Sequence, residues 1–173
     1  MKTASTKPET RNAGVSAQNS FSIRFAGIAD APAIRRCLQA AFEKYRDCYT
    51  PAAFAETVPR LEAIERRLQE MHLLVAVAGG MIVGALGAAA RGDAGHLCGM
   101  AVVPGWHGRG VSAALLEAAE ADLRRQGCRG VTLDTTEPLH RARRFYQNHG
   151  YAPSGRVSSF FGMPLIEYQK YFE

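Results

Sequence analysis

From Leu97 to Leu133 the chain passes from one apolar segment to another through a proline, a glycine-bearing loop and a long amphipathic stretch, an order that few folds accommodate. Residues 96–103 read as a strand that must end at Pro104, because proline has no N–H to donate to a central ladder. Beyond the loop, Val111, Leu115, Leu116, Ala118, Ala119 and Leu123 recur at helical spacing and predict a helix over Val111–Arg125. Gly127 follows it, the residue type that best accepts the left-handed backbone of a helix end. Residues 131–134 then form a short buried strand. A strand, a crossing helix and a second strand make a crossover unit, which sets its two strands side by side and parallel.

The flanking segments supply the rest of a mixed α/β (α+β) pattern. Residues 21–25 alternate apolar and polar and read as a first strand. Asp30 is expected to cap a helix in which Ile34, Cys37, Leu38, Ala41, Phe42 and Tyr45 share one face, with Pro32 tolerated in the first turn. Residues 45–59, interrupted by Pro51 and Pro59, read as an irregular connector that could face a substrate. Leu61, Ile64, Leu68 and Met71 mark a second amphipathic helix. Residues 73–77 and 81–86 are apolar runs joined by Ala78-Gly79-Gly80, a hairpin signal. Leu139, Ala142, Phe145, Tyr146 and His149 lie on one side of a further helix stopped by Gly150, and strands near residues 151–157 and 165–169 close the sequence.

Size and charge narrow the class of function. The chain has 173 residues, enough for one domain with one core. No apolar run approaches the length of a membrane span. Residues 1–20, rich in Ser, Thr, Ala and Asn, are expected to be a disordered tail, leaving residues 21–173 as the domain. The tail lacks the apolar core of a secretory signal and the amphipathic stripe of an import signal, so the cytoplasm is the expected compartment. Cys37, Cys48, Cys98 and Cys128 are scattered without paired spacing, which argues for reduced thiols and no metal. The net charge of +5 is interleaved with acids such as Glu62, Glu65, Glu117 and Glu120, and no continuous basic stripe with aromatics marks a nucleic-acid surface.

The loop between strand and helix carries the chemistry. It reads Pro104-Gly105-Trp106-His107-Gly108-Arg109-Gly110 before the helix begins at Val111. Glycines there let backbone approach a ligand, and the N–H groups from about Gly110 to Ala113 have no partner within the helix and carry its positive dipole end. A diphosphate satisfies such donors without a dedicated side chain. The spacing matches neither a P-loop nor a dinucleotide fingerprint.

In His107-Gly108-Arg109-Gly110-Val111-Ser112 the sequence resembles the GCN5-related N-acetyltransferase superfamily, whose diphosphate loop reads Gln or Arg, two residues, Gly, one residue, then Gly or Ala. The resemblance continues through Leu133-Asp134-Thr135 and Ala142-Arg143-Arg144-Phe145-Tyr146-Gln147-Asn148-His149-Gly150-Tyr151. His107 replaces the usual Gln or Arg, Ser112 the usual Gly or Ala, and Leu139 an Asn common in that family. The resemblance implies a mostly antiparallel central sheet of six to seven strands flanked by about four helices and splayed between the fourth and fifth strands. It also implies acetyl-CoA as co-substrate without a metal, bound by the backbone of Met100, Ala101 and Val102 and by His107, Gly108, Arg109, Gly110, Val111, Ser112 and Ala113.

By the same resemblance Tyr146 is the candidate donor that protonates the departing thiolate, and a main-chain N–H in the stretch 100–102 faces the oxyanion. The general base is left open: His96, Asp134, Glu137 or none of these. Arg141, Arg143 and Arg144 are candidates for the 3′-phosphate. The acceptor is an amine, on a small molecule or a peptide, that the sequence does not identify; its selectivity belongs to segments 45–59 and 153–164. In the latter, Phe160, Phe161 and Met163 read equally as pocket lining or as the contact of a homodimer. The competing reading is a non-catalytic acyl-CoA-binding sensor or partner module.

Overall fold

A computed structural model describes residues 20–173; the expected tail, residues 1–20, lies outside them apart from Ser20. The elements run β1 (Ser22–Phe25), α1 (Ala31–Phe42), α2 (Pro51–Thr57), α3 (Leu61–Glu70), β2 (His72–Ala78), β3 (Met81–Arg91), β4 (Ala94–Val102), α4 (Val111–Arg125), β5 (Gly130–Thr136), α5 (His140–Asn148), β6 (Ala152–Phe160) and β7 (Met163–Tyr171). The strands form one sheet in the order β1-β2-β3-β4-β5-β7-β6. Every neighbouring pair is antiparallel except β4 and β5, which run parallel as the crossover requires.

Helices cover both faces, because this sheet is apolar on both. On one face α4 and α5 bury Leu115, Leu116, Leu123 and Tyr146 against Leu86, Leu97 and Leu133. On the other, α1 to α3 bury Ile34, Leu38, Phe54 and Ile64 against Val75 and Ala85. Each fully buried aliphatic side chain contributes about 2 kcal/mol. The start of α4 lies close on β3 because Gly84 has no side chain: a Cβ there would lie 2.8 Å from Val111 Cγ1. An acidic group inside this layer is neutralised. Glu120, 6% exposed, takes both its contacts with Lys170 Nζ at 2.9 Å and accepts from the Tyr151 hydroxyl at 2.9 Å, tying α4 to β7.

Three expectations are corrected. Residues 45–59 are not irregular: a 3-10 stretch over Glu43–Cys48 leads into α2, whose first turn is capped by Thr50 accepting from Ala53 N–H, with Pro51 at the first helical position. With α2 the described residues hold five α-helices, in keeping with the expected number. Asp30 does precede α1, but its carboxylate turns away from that helix, accepting from Gly27 N–H at 2.8 Å and pairing with Arg24 at 2.7 Å. The strands β3, β5, β6 and β7 also extend beyond their expected ends, since ladder pairing continues through residues whose side chains give no apolar signal.

Candidate active site

The site begins where β4 and β5 part. Their parallel pairing covers only Ala94 to Leu97 against Gly130 to Leu133, yet β4 continues to Val102 and β5 to Thr136. A bulge in β4 turns the strand at that point: Cys98 faces Gly87 and Ala101 faces Ala85, so Gly99 and Met100 together oppose the single residue Leu86. Gly99 has φ +65°, a backbone state glycine reaches without a Cβ penalty. Past the bulge, Val103 N–H donates to Val83 O at 3.0 Å. Alternate residues of an antiparallel strand send their N–H and C=O to opposite sides, so Val102 directs its own pair away from β3 and into the opening.

On one side of this opening is a cleft of about 300 Å³. Its floor is the first turn of α4. Gly110, with φ +82°, turns the chain into the helix, and the first bond of the ladder runs from Ala114 N–H to Gly110 O at 3.0 Å. The N–H groups of Val111, Ser112 and Ala113 thus precede the ladder, and all three residues line the cleft. A Cβ on Gly108 or Gly110 would meet no atom within 4 Å, so the space above the loop is open. These donors, the positive end of a 15-residue helix, fit a diphosphate.

Of the expected cofactor residues, Met100, Ala101, Val102, His107, Gly108, Gly110, Val111, Ser112 and Ala113 line this cleft. Arg109 does not: its guanidinium lies over the Trp106 ring, 5.0 Å from the centroid. His107 is committed to the main chain. Its Nε2 lies 2.9 Å from Val102 O, and since a carbonyl only accepts, Nε2 carries a proton and Nδ1 is left for other contacts. The three arginines separate. Arg141 lines the cleft, Arg143 turns to His140 Nδ1, and exposed Arg144 lines neither chamber. Lys44 stands in the cleft as a second cation that sequence reading missed; it follows α1 in the 3-10 stretch, with its Nζ 4.8 Å from the Tyr45 ring.

A second chamber, of about 250 Å³, occupies the other side of the opening. The two share Phe42, Met100, Leu139, Ala142 and Tyr146, which form the wall between them. Tyr146 stands at that junction. It is 6% exposed, its ring packs edge-on against Phe145 and Tyr151, and among the described residues its hydroxyl has no hydrogen-bond partner. Burial, with Cys98 adding to it, raises its pKa and keeps the phenol protonated.

The three candidate bases are sorted by position. His96 and Asp134 line the second chamber, their Nε2 and Oδ2 atoms 3.6 Å apart. Glu137 is exposed and lines neither chamber. Thr132 Oγ1 lies 3.0 Å from His96 Nδ1 and 3.4 Å from Gly95 O, which fixes the orientation of the ring. That arrangement turns His96 Nε2 toward the carboxylate of Asp134. Burial raises the Asp134 pKa, an effect that His96 opposes and Glu167 reinforces. Cys98 also lines the chamber, but burial raises its pKa despite the opposing charges of Arg67 and Arg91, and its Sγ lies 3.6 Å from Met71 Sδ.

Segment 45–59 contributes to the lining of this chamber as ordered structure. Tyr49, Glu56 and Thr57 come from it, and Arg67 of α3 joins them through a 2.7 Å ion pair with Glu56. Of the three ambiguous residues near the β6–β7 turn, Phe160 lines the chamber, Phe161 is 53% exposed and Met163 is buried in the core beneath α1 to α3. Gly99 and Arg67 were legible only in part: a glycine inside a strand signals a bulge, whereas nothing local distinguishes Arg67 from other helix-surface arginines. Among the described residues no cluster of His, Cys, Asp or Glu is arranged to hold a metal, and no helix is long and apolar enough to cross a membrane.

Residues 38–151 match the family described as Acetyltransferase (GNAT) family. The fold is similar to that of the PaiA N-acetyltransferase from Thermoplasma acidophilum, solved in complex with coenzyme A, at 17% identity and a TM-score of 0.74, with 88% of this chain and 99% of that chain covered. A GCN5-related N-acetyltransferase from Rhodopseudomonas palustris is 22% identical with a TM-score of 0.74, covering 92% of this chain and 100% of that chain. A ribosomal-protein-alanine N-acetyltransferase from Brucella melitensis is 23% identical with a TM-score of 0.70, covering 87% and 99%. At such identities the likeness is one of fold. No curated protein is a significant match to the sequence.

Proposed function

The chain belongs to the acetyltransferase (GNAT) family, and from that premise we propose that it transfers an acetyl group from acetyl-CoA to a primary amine, by direct attack while both substrates are bound. The observation that carries this reading is the meeting of two chambers at Tyr146 and Met100, beside the bulge that parts β4 from β5. One chamber offers main-chain donors for a diphosphate; the other offers a base and a carboxylate for an amine.

Acetyl-CoA fits the first chamber by the chemistry of its walls. The N–H groups of Val111, Ser112 and Ala113 meet the diphosphate, Lys44 and Arg141 supply the cations its phosphates attract, and Val102 presents main-chain groups to the pantetheine amides. The thioester supplies an activated carbonyl at the junction. In the second chamber the amine enters as an ammonium ion, which donates to Asp134 Oδ2 and to the lone pair of His96 Nε2. His96 takes a proton and frees the nitrogen lone pair, and Asp134 stabilises the resulting imidazolium. Main-chain N–H groups at the bulge stabilise the charge that develops on the carbonyl oxygen. Tyr146, kept protonated by burial, donates to the departing thiolate. Cys98 takes no part as a nucleophile, since its raised pKa disfavours the thiolate that an acyl-enzyme route needs.

The test is titration calorimetry with coenzyme A followed by thiol-release kinetics with acetyl-CoA and an amine panel. Binding together with amine-stimulated thiol release supports the reading. Binding without turnover for any amine leaves a cofactor-binding module, and no binding removes the assignment.

A further inference from the structure

The second chamber is more selective than the reaction requires. Its polar side chains are mostly used up within the protein. The Tyr49 hydroxyl meets Thr136 Oγ1, Thr57 Oγ1 donates to Ala53 O at 2.8 Å, and Thr135 Oγ1 donates to Thr136 O at 3.1 Å. Among the described residues Arg67 is the only Lys or Arg lining it, and Glu56 holds it at 2.7 Å. With those two neutralising each other, Asp134 is the carboxylate left over for a ligand, with His96 Nε2 at 3.6 Å. The remaining walls are apolar: Phe42, Tyr49 and Phe160 present rings, and Leu97, Leu133 and Leu165 fill between them. The roof is fixed, because Thr50 at the start of α2 donates to Phe161 O at 2.8 Å and so ties that helix to the β6–β7 turn.

We infer that the acceptor is a small primary monoamine with an aromatic body and no carboxylate, an arylalkylamine, its ammonium seated between Asp134 and His96 and its ring among Phe42, Tyr49 and Phe160. This rests on the acetyl-transfer reading above and specifies its substrate class. Each competing class fails on a particular term. An amino acid would bring a carboxylate beside Asp134 and Glu56, whose like charges repel it, with the Arg67 guanidinium already paired to Glu56. A polyamine would bring further cations to a chamber with one uncommitted carboxylate. A peptide would bring amide groups that need partners where the hydroxyls are spent, into a chamber of about 250 Å³, at the small end for ligand pockets. A flat ring gains the aromatic contacts that an alkyl chain does not. In the reaction the C–N bond forms and the C–S bond breaks, so one ammonium and one thioester give a neutral amide, free coenzyme A thiol and one proton.

The experiment measures kcat/KM by thiol release, with the full chain and acetyl-CoA, for phenethylamine, phenylalanine, spermidine, a peptide with a free N-terminus and a lysine-containing peptide. Phenethylamine is expected to exceed each of the others by at least about a hundredfold. Glu56→Gln, which releases Arg67, is expected to raise the rate with phenylalanine about tenfold or more relative to phenethylamine. Phenethylamine is further expected to raise the melting temperature of the coenzyme A complex, and Asp134→Asn to abolish that shift. Preference for spermidine, phenylalanine or either peptide overturns the inference while leaving acetyl transfer standing. Coenzyme A binding with no turnover and no thermal shift from phenethylamine overturns it as well, and absence of coenzyme A binding removes both readings.

Discussion

The hydroxyl of Thr50 donates to the carbonyl of Phe161 at 2.8 Å while it accepts from Ala53 N–H at 3.2 Å. One side chain therefore both caps α2 and fastens it to the turn between β6 and β7. Thr50→Val keeps the shape and removes both bonds. It should lower stability by about 1 to 2 kcal/mol in a denaturant titration. The KM for the amine should rise several-fold with the KM for acetyl-CoA unchanged, since the roof belongs to the second chamber alone. Equal changes in both would show that the roof does not act on the acceptor side.

Tyr146 stands where the two chambers meet, protonated and with its hydroxyl unpartnered among the described residues. Tyr146→Phe preserves the ring contacts with Phe145 and Tyr151 and removes only the proton donor. Turnover should fall by about a hundredfold with little change in coenzyme A affinity by calorimetry. Unchanged turnover would remove Tyr146 from the mechanism.

Gly110 enters α4 with φ +82°. A β-branched side chain strains that backbone by about 1 to 2 kcal/mol and misdirects the N–H groups that follow. Gly110→Val should weaken coenzyme A binding about tenfold or more while far-UV circular dichroism stays native. Wild-type affinity in that variant would mean that the first turn of α4 is not where the diphosphate is held.

Glu120 is buried between Lys170 and Tyr151. Glu120→Leu leaves the Lys170 ammonium without its partner and should cost about 3 kcal/mol in chemical denaturation. The double substitution Glu120→Leu with Lys170→Met should recover part of that loss, because it removes the orphaned charge. A double variant no more stable than the single one would mean that shape, not charge, governs this site.

Asp30 has a pKa lowered from 3.8 to about 2, chiefly by the hydrogen bond from Arg24, with Gly27 N–H adding to it. A carboxylate whose pKa is depressed on folding stabilises the native state above its unfolded pKa and loses that contribution as pH falls. Between pH 3.8 and about 2 the wild-type protein should therefore lose stability more steeply than Asp30→Asn, which starts lower near neutrality. Parallel stability curves across that window would show that the pairing contributes nothing.

The order of most elements, the parallel pair at β4 and β5, the helix over Val111–Arg125 and the glycine-bearing turn before it were legible in the sequence, because each rests on local rules. Apolar spacing fixes a helix face, proline ends a strand, and glycine marks a turn, whatever the rest of the chain does. The helix α2 was written in the same terms, in Thr50 and Pro51, but the two prolines around it masked that signal. What only the tertiary structure decided is which side chains meet. His96 and Asp134 lie on neighbouring strands whose register brings their polar atoms to 3.6 Å. Arg67 is matched to Glu56 by the packing of two helices, and Arg141 is separated from Arg143 by the turn of a third. Local propensity acts over a few residues and is carried by the sequence itself. Contacts across the opening between β4 and β5 depend on how far two strands diverge, a quantity set by the whole sheet and the helices packed on both its faces.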